Sequence, residues 1–87
     1  MLLALATCFC NDIYREANKR NLPITNVEVL TEGEFGAEGG PGTNFKYKAI
    51  VESDVPVEAI NDLIAYVDKI AEVHNTLRKG LNVSLEL

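Results

Sequence analysis

The stretch that decides the fold is the first one, Leu2-Leu3-Ala4-Leu5-Ala6-Thr7-Cys8-Phe9-Cys10-Asn11-Asp12-Ile13-Tyr14. It carries no charge before Asp12, and apolar residues recur along it at spacings of three and four, which is typical of a helix. We predict a helix over residues 2–20, ended by Asn21-Leu22-Pro23. Because a surface helix is rarely so apolar, we expect it to run through a domain or against a second subunit, with the Cys8 thiol enclosed.

Alternating apolar and polar residues predict a β-hairpin in the middle of the chain, with strands over 24–33 and 44–53. Val27, Val29 and Thr31 are predicted to share one face of the first strand, and Phe45, Tyr47, Ala49 and Val51 one face of the second. Lys46 and Lys48 are expected to pair across the hairpin with Glu28, Glu32 or Glu34. The glycine-rich segment 34–43 is interpreted as the hairpin loop, since a phosphate-binding loop would contain a G-x-x-x-x-G-K-[ST] motif and lead into a helix.

A second helix is predicted from Pro56 to residue 79, ended by Gly80. Its apolar stripe is the clearest amphipathic pattern in the chain and includes His74. A final strand is predicted over Asn82–Leu87. The expected architecture is therefore a single α+β domain, residues 1–87, in the order helix, strand, strand, helix, strand, with two long helices packed on an antiparallel sheet.

Composition argues against several classes of function. The net charge is −5 and no run of five basic residues occurs, so nucleic-acid binding is not expected. The apolar segment 1–10 is too short to span a bilayer and lacks the flanks of a signal peptide, so we expect a cytoplasmic protein without membrane attachment. A domain of 87 residues buries a small core, which favours oligomerisation, with a homodimer as the expected form.

Two cysteines are the first candidates for chemistry. Cys8 is either a small core residue or a reactive thiol, and reactivity would require a nearby cation, which no residue within four positions supplies. Arg15, Lys69 and Arg78 are the cations most worth locating. Cys10 lies about 200° from Cys8 around a helix, so a disulfide between them has poor geometry, and Cys10 is a weaker candidate for a second thiol.

His74 is the third candidate, because it lies on the apolar stripe of the second helix. Most such histidines are buried structural residues, but packing of the two helices could bring His74 to Cys8 or Cys10 as a Cys–His pair. One histidine and two cysteines on opposite helix faces make a poor zinc site, so neither a metal nor another cofactor is expected.

Two separated motifs resemble the OsmC-like (osmotically inducible protein C / organic hydroperoxide resistance) family. Ala4-Leu5-Ala6-Thr7-Cys8-Phe9 is similar to the cysteine motif of its central helix, and Val73-His74-Asn75-Thr76-Leu77-Arg78-Lys79-Gly80 is similar to the end of its second long helix. The resemblance implies an α+β intertwined homodimer that reduces organic hydroperoxides with a thiol. Cys8 matches the first, peroxide-reactive cysteine, and His74 matches a position where the family often has His or Ser.

The chain departs from that family pattern in three respects. The family's second cysteine precedes the histidine by three residues, where this chain has Ala71. The amino-terminal, strand-rich part of the family fold has no counterpart, nor do the arginine and glutamate that it supplies. We therefore expect an OsmC-like redox protein, acting as a thiol peroxidase through Cys8 if it is an enzyme. The alternative is a non-enzymatic domain that keeps the fold and binds a small apolar ligand, or a structural dimer.

Overall fold

A computed structural model describes residues 1–86 as one α+β unit, which confirms the predicted fold class. The elements in chain order are α1 (Leu2–Lys19), β1 (Asn26–Phe35), β2 (Gly42–Glu52), α2 (Val57–Ile70) and α3 (Glu72–Lys79). The two strands form one antiparallel hairpin, and its inner face packs against the helices.

Helix α1 buries one face in the core, whereas Leu3 on its other side is 78% exposed, so the helix is not enclosed within this chain. Its buried face repeats at intervals of four residues, with Leu5, Phe9, Ile13 and Ala17 at 6% exposure or less. The helix ends where Asn21 takes a φ of 55°, a left-handed conformation that asparagine tolerates better than most residues. The Leu22 backbone N–H then donates to the Ala17 carbonyl at 2.9 Å, which satisfies one of the free carbonyl groups at this end.

The hairpin lays one face on the core and turns the other outward. Val27 pairs with Val51, Val29 with Ala49 and Thr31 with Tyr47, and these six residues are half-buried. The strands lie close to their predicted ranges, and the predicted cross-strand ion pair is found between Lys46 and Glu32, at 3.5 Å and largely exposed. Phe45, predicted to share a face with Tyr47, is 40% exposed, and it lies where the strand pairing is irregular, opposite the segment between Glu32 and Glu34.

The second helix is not continuous, contrary to the prediction of one helix to residue 79. Ala71 adopts φ −68° and ψ 104°, an extended conformation that separates α2 from α3. Groups of α3 satisfy carbonyl groups left free by the break: the Asn75 side-chain amide donates to the Lys69 carbonyl at 2.9 Å, and Arg78 donates to the Asp68 carbonyl at 3.3 Å. The corner keeps the predicted stripe inward, since Leu63, Val67, Ala71 and His74 are all buried.

The predicted final strand does not form. Residues 81–86 have no helical or strand structure, and Val83 and Leu85 are 99% and 84% exposed. A strand requires a neighbouring strand to complete its backbone hydrogen bonds, and the sheet of the described residues consists of β1 and β2 alone. Leu87, the end of the predicted strand, lies outside the described residues.

Candidate functional site

His74 is the most unusual polar residue of the core. Its side chain is 4% exposed, and neither ring nitrogen has a hydrogen-bond partner among residues 1–86. The imidazole packs against Tyr47, with ring centroids 4.5 Å apart, and against Phe9 at 5.4 Å. Phe9 and Tyr47 also contact each other edge to face at 4.7 Å, so the three rings form one aromatic cluster that joins α1, β2 and α3.

A polar network adjoins this cluster and ties the hairpin to the α2–α3 corner. The Tyr47 hydroxyl donates to Asp68 Oδ1, and the same oxygen accepts a bond of 2.6 Å from Arg78 Nη2. Arg78 Nη1 also donates to Asn75 Oδ1 at 3.1 Å. The Asp68 carboxylate is therefore held by two donors from different elements, which fixes the Tyr47 ring against His74.

The environment of the network shifts the ionisation of its members. Burial raises the pKa of Tyr47, and the hydrogen bond to Asp68 raises it further, so the phenol remains protonated at neutral pH. For Asp68, burial alone raises the pKa, but the hydrogen bonds from Tyr47 and Arg78 outweigh it and lower that pKa overall. Burial also lowers the pKa of His74 below 6.5, and the Arg78 guanidinium adds to this, so the imidazole is neutral at neutral pH.

His74 and Arg78 line an open groove of about 370 Å³ between the start of α1, β2 and α3. Its apolar lining includes Leu5, Phe45 and Leu77, and a second cation, Lys46, lies at its edge. No acidic residue contributes to this lining. The volume falls within the range of about 300–1,000 Å³ that small-molecule sites occupy. The groove therefore offers an apolar floor and a neutral, unpaired imidazole, while its two cations are paired with Glu32 and Asp68.

The two cysteines lie apart from this groove. Both are free thiols, and both are half-buried. Cys8 had been expected to be enclosed, and within this chain it is not. Cys10 lies where α1 meets β1, in a shallow depression that it shares with Asn11 and Val29. Neither sulfur takes part in a hydrogen bond or ion pair within the part of the chain that the structure describes. The role of Cys8 as a catalytic thiol stays a prediction.

The Cys–His pair does not form within one chain, because both nitrogens of His74 lack a partner among the described residues. The cations named as candidates for Cys8 have other partners: Arg15 pairs with Asp12 at 3.0 Å, and Arg78 with Asp68. Lys69 forms no ion pair within residues 1–86. The structure thus groups His74 with Tyr47, Asp68 and Arg78, and Cys8 takes no part in that group.

Comparison with known protein families identifies the family to which this chain belongs. The family described as "OsmC-like protein" matches residues 1–86. This chain belongs to the OsmC-like family. The expected resemblance is thereby confirmed, whereas no curated protein sequence matches the chain.

A solved OsmC-like structure shows the same fold. It is an OsmC-like hydroperoxide resistance protein from Jannaschia sp. CCS1, with 21% sequence identity and a TM-score of 0.64. The match covers 93% of this chain and 57% of the other, so this OsmC-like chain spans somewhat more than half of that protein's length. At this level of identity the comparison establishes the shared fold.

Two residues of the OsmC-like chain's polar network, Tyr47 and Asp68, were not singled out from the sequence. Tyr47 was predicted only to share a strand face with Phe45, Ala49 and Val51, and Asp68 lies on the polar side of an amphipathic helix, where carboxylates are usually solvated. No local signal could have found them, because ten positions along a continuous helix would put Asp68 and Arg78 about 15 Å apart, and only the break at Ala71 brings them into contact. No helix among residues 1–86 is long and apolar enough to cross a bilayer, and no cluster of His, Cys, Asp or Glu there could hold a metal.

Proposed function

We propose that this OsmC-like protein is a thiol-dependent hydroperoxide reductase in which Cys8 is the nucleophile. The observation that supports it is a half-buried free thiol on an apolar helix of a chain whose family assignment covers residues 1–86. A half-buried sulfur can be reached by a small substrate while its surroundings exclude most water.

The reaction is a two-electron oxidation of sulfur. The Cys8 thiolate attacks the terminal oxygen of an organic hydroperoxide, the S–O bond forms as the O–O bond breaks, and the alkoxide leaves and takes up a proton to give the alcohol. One molecule of an external thiol displaces hydroxide from the sulfenic acid, giving water and a mixed disulfide, and a second releases Cys8 as the thiol. This cycle suits the reducing cytoplasm, where we propose that the protein acts.

Cys10 supplies the matched control for the role of Cys8. We expect cumene hydroperoxide to consume one thiol per chain in wild type and in Cys10→Ser, faster than in free cysteine at the same pH, and to yield a dimedone-trapped sulfenic acid at Cys8. The Cys8→Ser variant should form no such adduct at the remaining thiol. An unchanged thiol titre in wild type, or equal reaction of both variants, would show that Cys8 is not the nucleophile.

We also propose that the protein is a homodimer in which the outward face of the hairpin contributes to the contact. Leu30 and Ile50 lie on that face and are 50% and 38% exposed. The radius of gyration is 15.3 Å, whereas a compact chain of this length has about 12 Å. An elongated chain with apolar residues on an open sheet face has surface that a second subunit could bury.

A second candidate function is non-enzymatic binding of a small apolar ligand. The observation that favours it is the groove between α1, β2 and α3, which holds Leu5 and Leu77 but neither cysteine. Binding there would be independent of the thiols. This function predicts that 1-octanol raises the thermal unfolding midpoint of the Cys8→Ser variant, and an unchanged midpoint across its solubility range would argue against it.

A further inference from the structure

Helix α3 is attached to the rest of the fold at few points. Of its eight residues, His74 alone is buried, at 4% exposure. Ala71 before it is extended, and residues 81–86 after it have neither helical nor strand structure. A short segment with an extended hinge at one end and little burial can separate from a fold while the remaining elements stay in place.

The bonds between α3 and α2 lie close to that hinge and are partly open to water. The Asn75 side-chain amide donates to the Lys69 carbonyl at 2.9 Å in an exposed position. The ion pair between Arg78 and Asp68 is short, at 2.6 Å, but its side chains are 48% and 38% exposed. Water can replace such bonds at low cost, so the corner does not by itself hold α3 against the core.

Contact of α3 with α1 and β2 depends on the imidazole of His74. Its ring centroid lies 5.4 Å from that of Phe9 on α1 and 4.5 Å from that of Tyr47 on β2. Neither ring nitrogen has a hydrogen-bond partner among residues 1–86, so a titratable group makes an apolar contact. Such a contact is favourable only while the ring is neutral, because a charge buried without a partner is strongly destabilising.

Charged groups approach His74 from the helices around it. Asp12 on α1 and Asp68 on α2 favour a proton on the ring, whereas Arg78 on α3 disfavours it. Tyr47, its neighbour on β2, keeps an uncharged phenol at neutral pH. Burial and Arg78 outweigh the two carboxylates, so the pKa of His74 is lowered while α3 is in place. In a released helix the ring returns to water and to its ordinary pKa of 6.5, so acid favours release.

We propose that α3 is an acid-released flap: a proton on His74 separates the helix from the aromatic cluster, and the hinge at Ala71 lets it turn away. The consequence falls on the groove, because α3 supplies His74, Leu77 and Arg78 to its lining. Release therefore removes one wall of the groove at low pH, and the wall re-forms at neutral pH. This inference depends on neither proposed function, since it concerns the wall of the groove and not its occupant.

The test measures hydrogen exchange of backbone amides between pH 8 and pH 5. Rates are expressed as protection factors, so that the effect of pH on intrinsic exchange cancels. The Asn75 amide, which donates to the Ala71 carbonyl, reports on α3, and the amide of the fully buried Ile13 reports on the core. We expect the α3 amide to be less protected than that of Ile13 and, unlike it, insensitive to low concentrations of urea, because local opening exposes little surface.

The pH dependence identifies the group responsible. Below pH 6.5, protection of α3 should fall by up to about tenfold per pH unit in wild type, until the folded-state pKa of His74 is reached. His74→Phe keeps a ring in the aromatic cluster but cannot take up a proton, so it should abolish this fall. The matched variant Glu72→Gln removes an exposed ionisable group from the same helix and should retain it.

A second measurement needs no variant. The ring signals of the single histidine report its protonation directly, and we expect the protonated ring to appear together with the loss of α3 protection. Protonation while α3 stays protected would overturn the proposal. So would an α3 as protected and as sensitive to urea as Ile13, because the helix would then leave only when the whole chain unfolds. An equal fall of protection in wild type and in His74→Phe would assign the acid response to another group.

Discussion

At the scale of single residues, His74 carries the most information. Burial between Phe9 and Tyr47 keeps its imidazole neutral, and the unpaired nitrogens leave no partner to stabilise a bound proton. Its position on an inward stripe was predictable from helical spacing alone. Its neighbours were not, because the contact with Tyr47 depends on how the hairpin crosses α1, which no local pattern specifies.

The ionisation of His74 predicts acid sensitivity. Its pKa in the folded protein is lowered below the ordinary value of 6.5, so below pH 6.5 the unfolded chain binds a proton that the folded chain excludes. This contribution to stability is complete above pH 6.5 and is lost as the pH falls towards the folded-state pKa. We expect the urea midpoint of wild type to decline from pH 8 to pH 5 more than that of His74→Phe.

Attribution of this effect is direct because the chain contains a single histidine. The two proteins carry the same carboxylates, so the difference between their pH profiles reports on position 74 and on its electrostatic interaction with Asp68. Parallel profiles would mean that His74 is solvated or paired in solution.

At the scale of secondary-structure elements, the chain shows where local sequence determines structure and where it does not. The period of apolar residues predicted α1 to within one residue at its end. The break at Ala71 was missed because alanine is a good helix former and no glycine or proline lies nearby. Bonds from Asn75 and Arg78 back to α2 stabilise the corner, and these are tertiary contacts that the helix period does not encode.

The carboxyl end of α3 gives a prediction at this scale. Gly80 adopts φ 63°, and its backbone N–H donates to the Leu77 carbonyl at 3.1 Å, so it ends the helix in a left-handed conformation. Gly80→Ala has space for its methyl group and should still lower the free energy of unfolding by about 1 kcal/mol, because of backbone strain alone.

The matched control for this substitution is Gly36→Ala in the hairpin loop. Gly36 also has open space around its Cα, but its φ is not positive, so the change should leave the unfolding free energy within about 0.5 kcal/mol of wild type. Equal effects of the two substitutions in urea unfolding would show that the left-handed cap does not form in solution.

At the scale of the whole molecule, the described chain has extents of 49 × 25 × 18 Å and a core of few residues. Composition and length predicted a small domain in need of further burial, and the exposed hairpin face agrees with that expectation. The third strand was predicted from its alternation of apolar residues. Alternation describes which faces a strand would present, but it does not supply the neighbouring strand that residues 81–86 lack here.

Association through the hairpin predicts a stability that depends on protein concentration. If folding and dimerisation are coupled, the thermal midpoint should rise several degrees as the concentration increases a hundredfold. Ile50→Lys places an ammonium opposite Glu28 on the neighbouring strand, which is favourable within one chain by about 0.2–1 kcal/mol, but buries a charge in the proposed interface.

This variant therefore separates the stability of the single chain from the association of two chains. We expect Ile50→Lys to be monomeric in sedimentation equilibrium at concentrations where wild type is a dimer. A variant that stays dimeric would place the interface elsewhere, and a wild-type midpoint that does not vary with concentration would exclude coupled folding and association.

The approach of Phe45 to the hairpin backbone has a consequence for how relatives of this chain could diversify. A Cβ atom at Gly42 would lie 2.5 Å from the Phe45 ring and 2.7 Å from that of Phe35, so any side chain there forces an aromatic ring to move. Phe45 and Gly42 both line the groove, and its shape is therefore coupled to the first residue of β2. A side chain at position 42 would both move the Phe45 ring and occupy part of the groove, so relatives with a residue other than glycine there would have a groove of different shape.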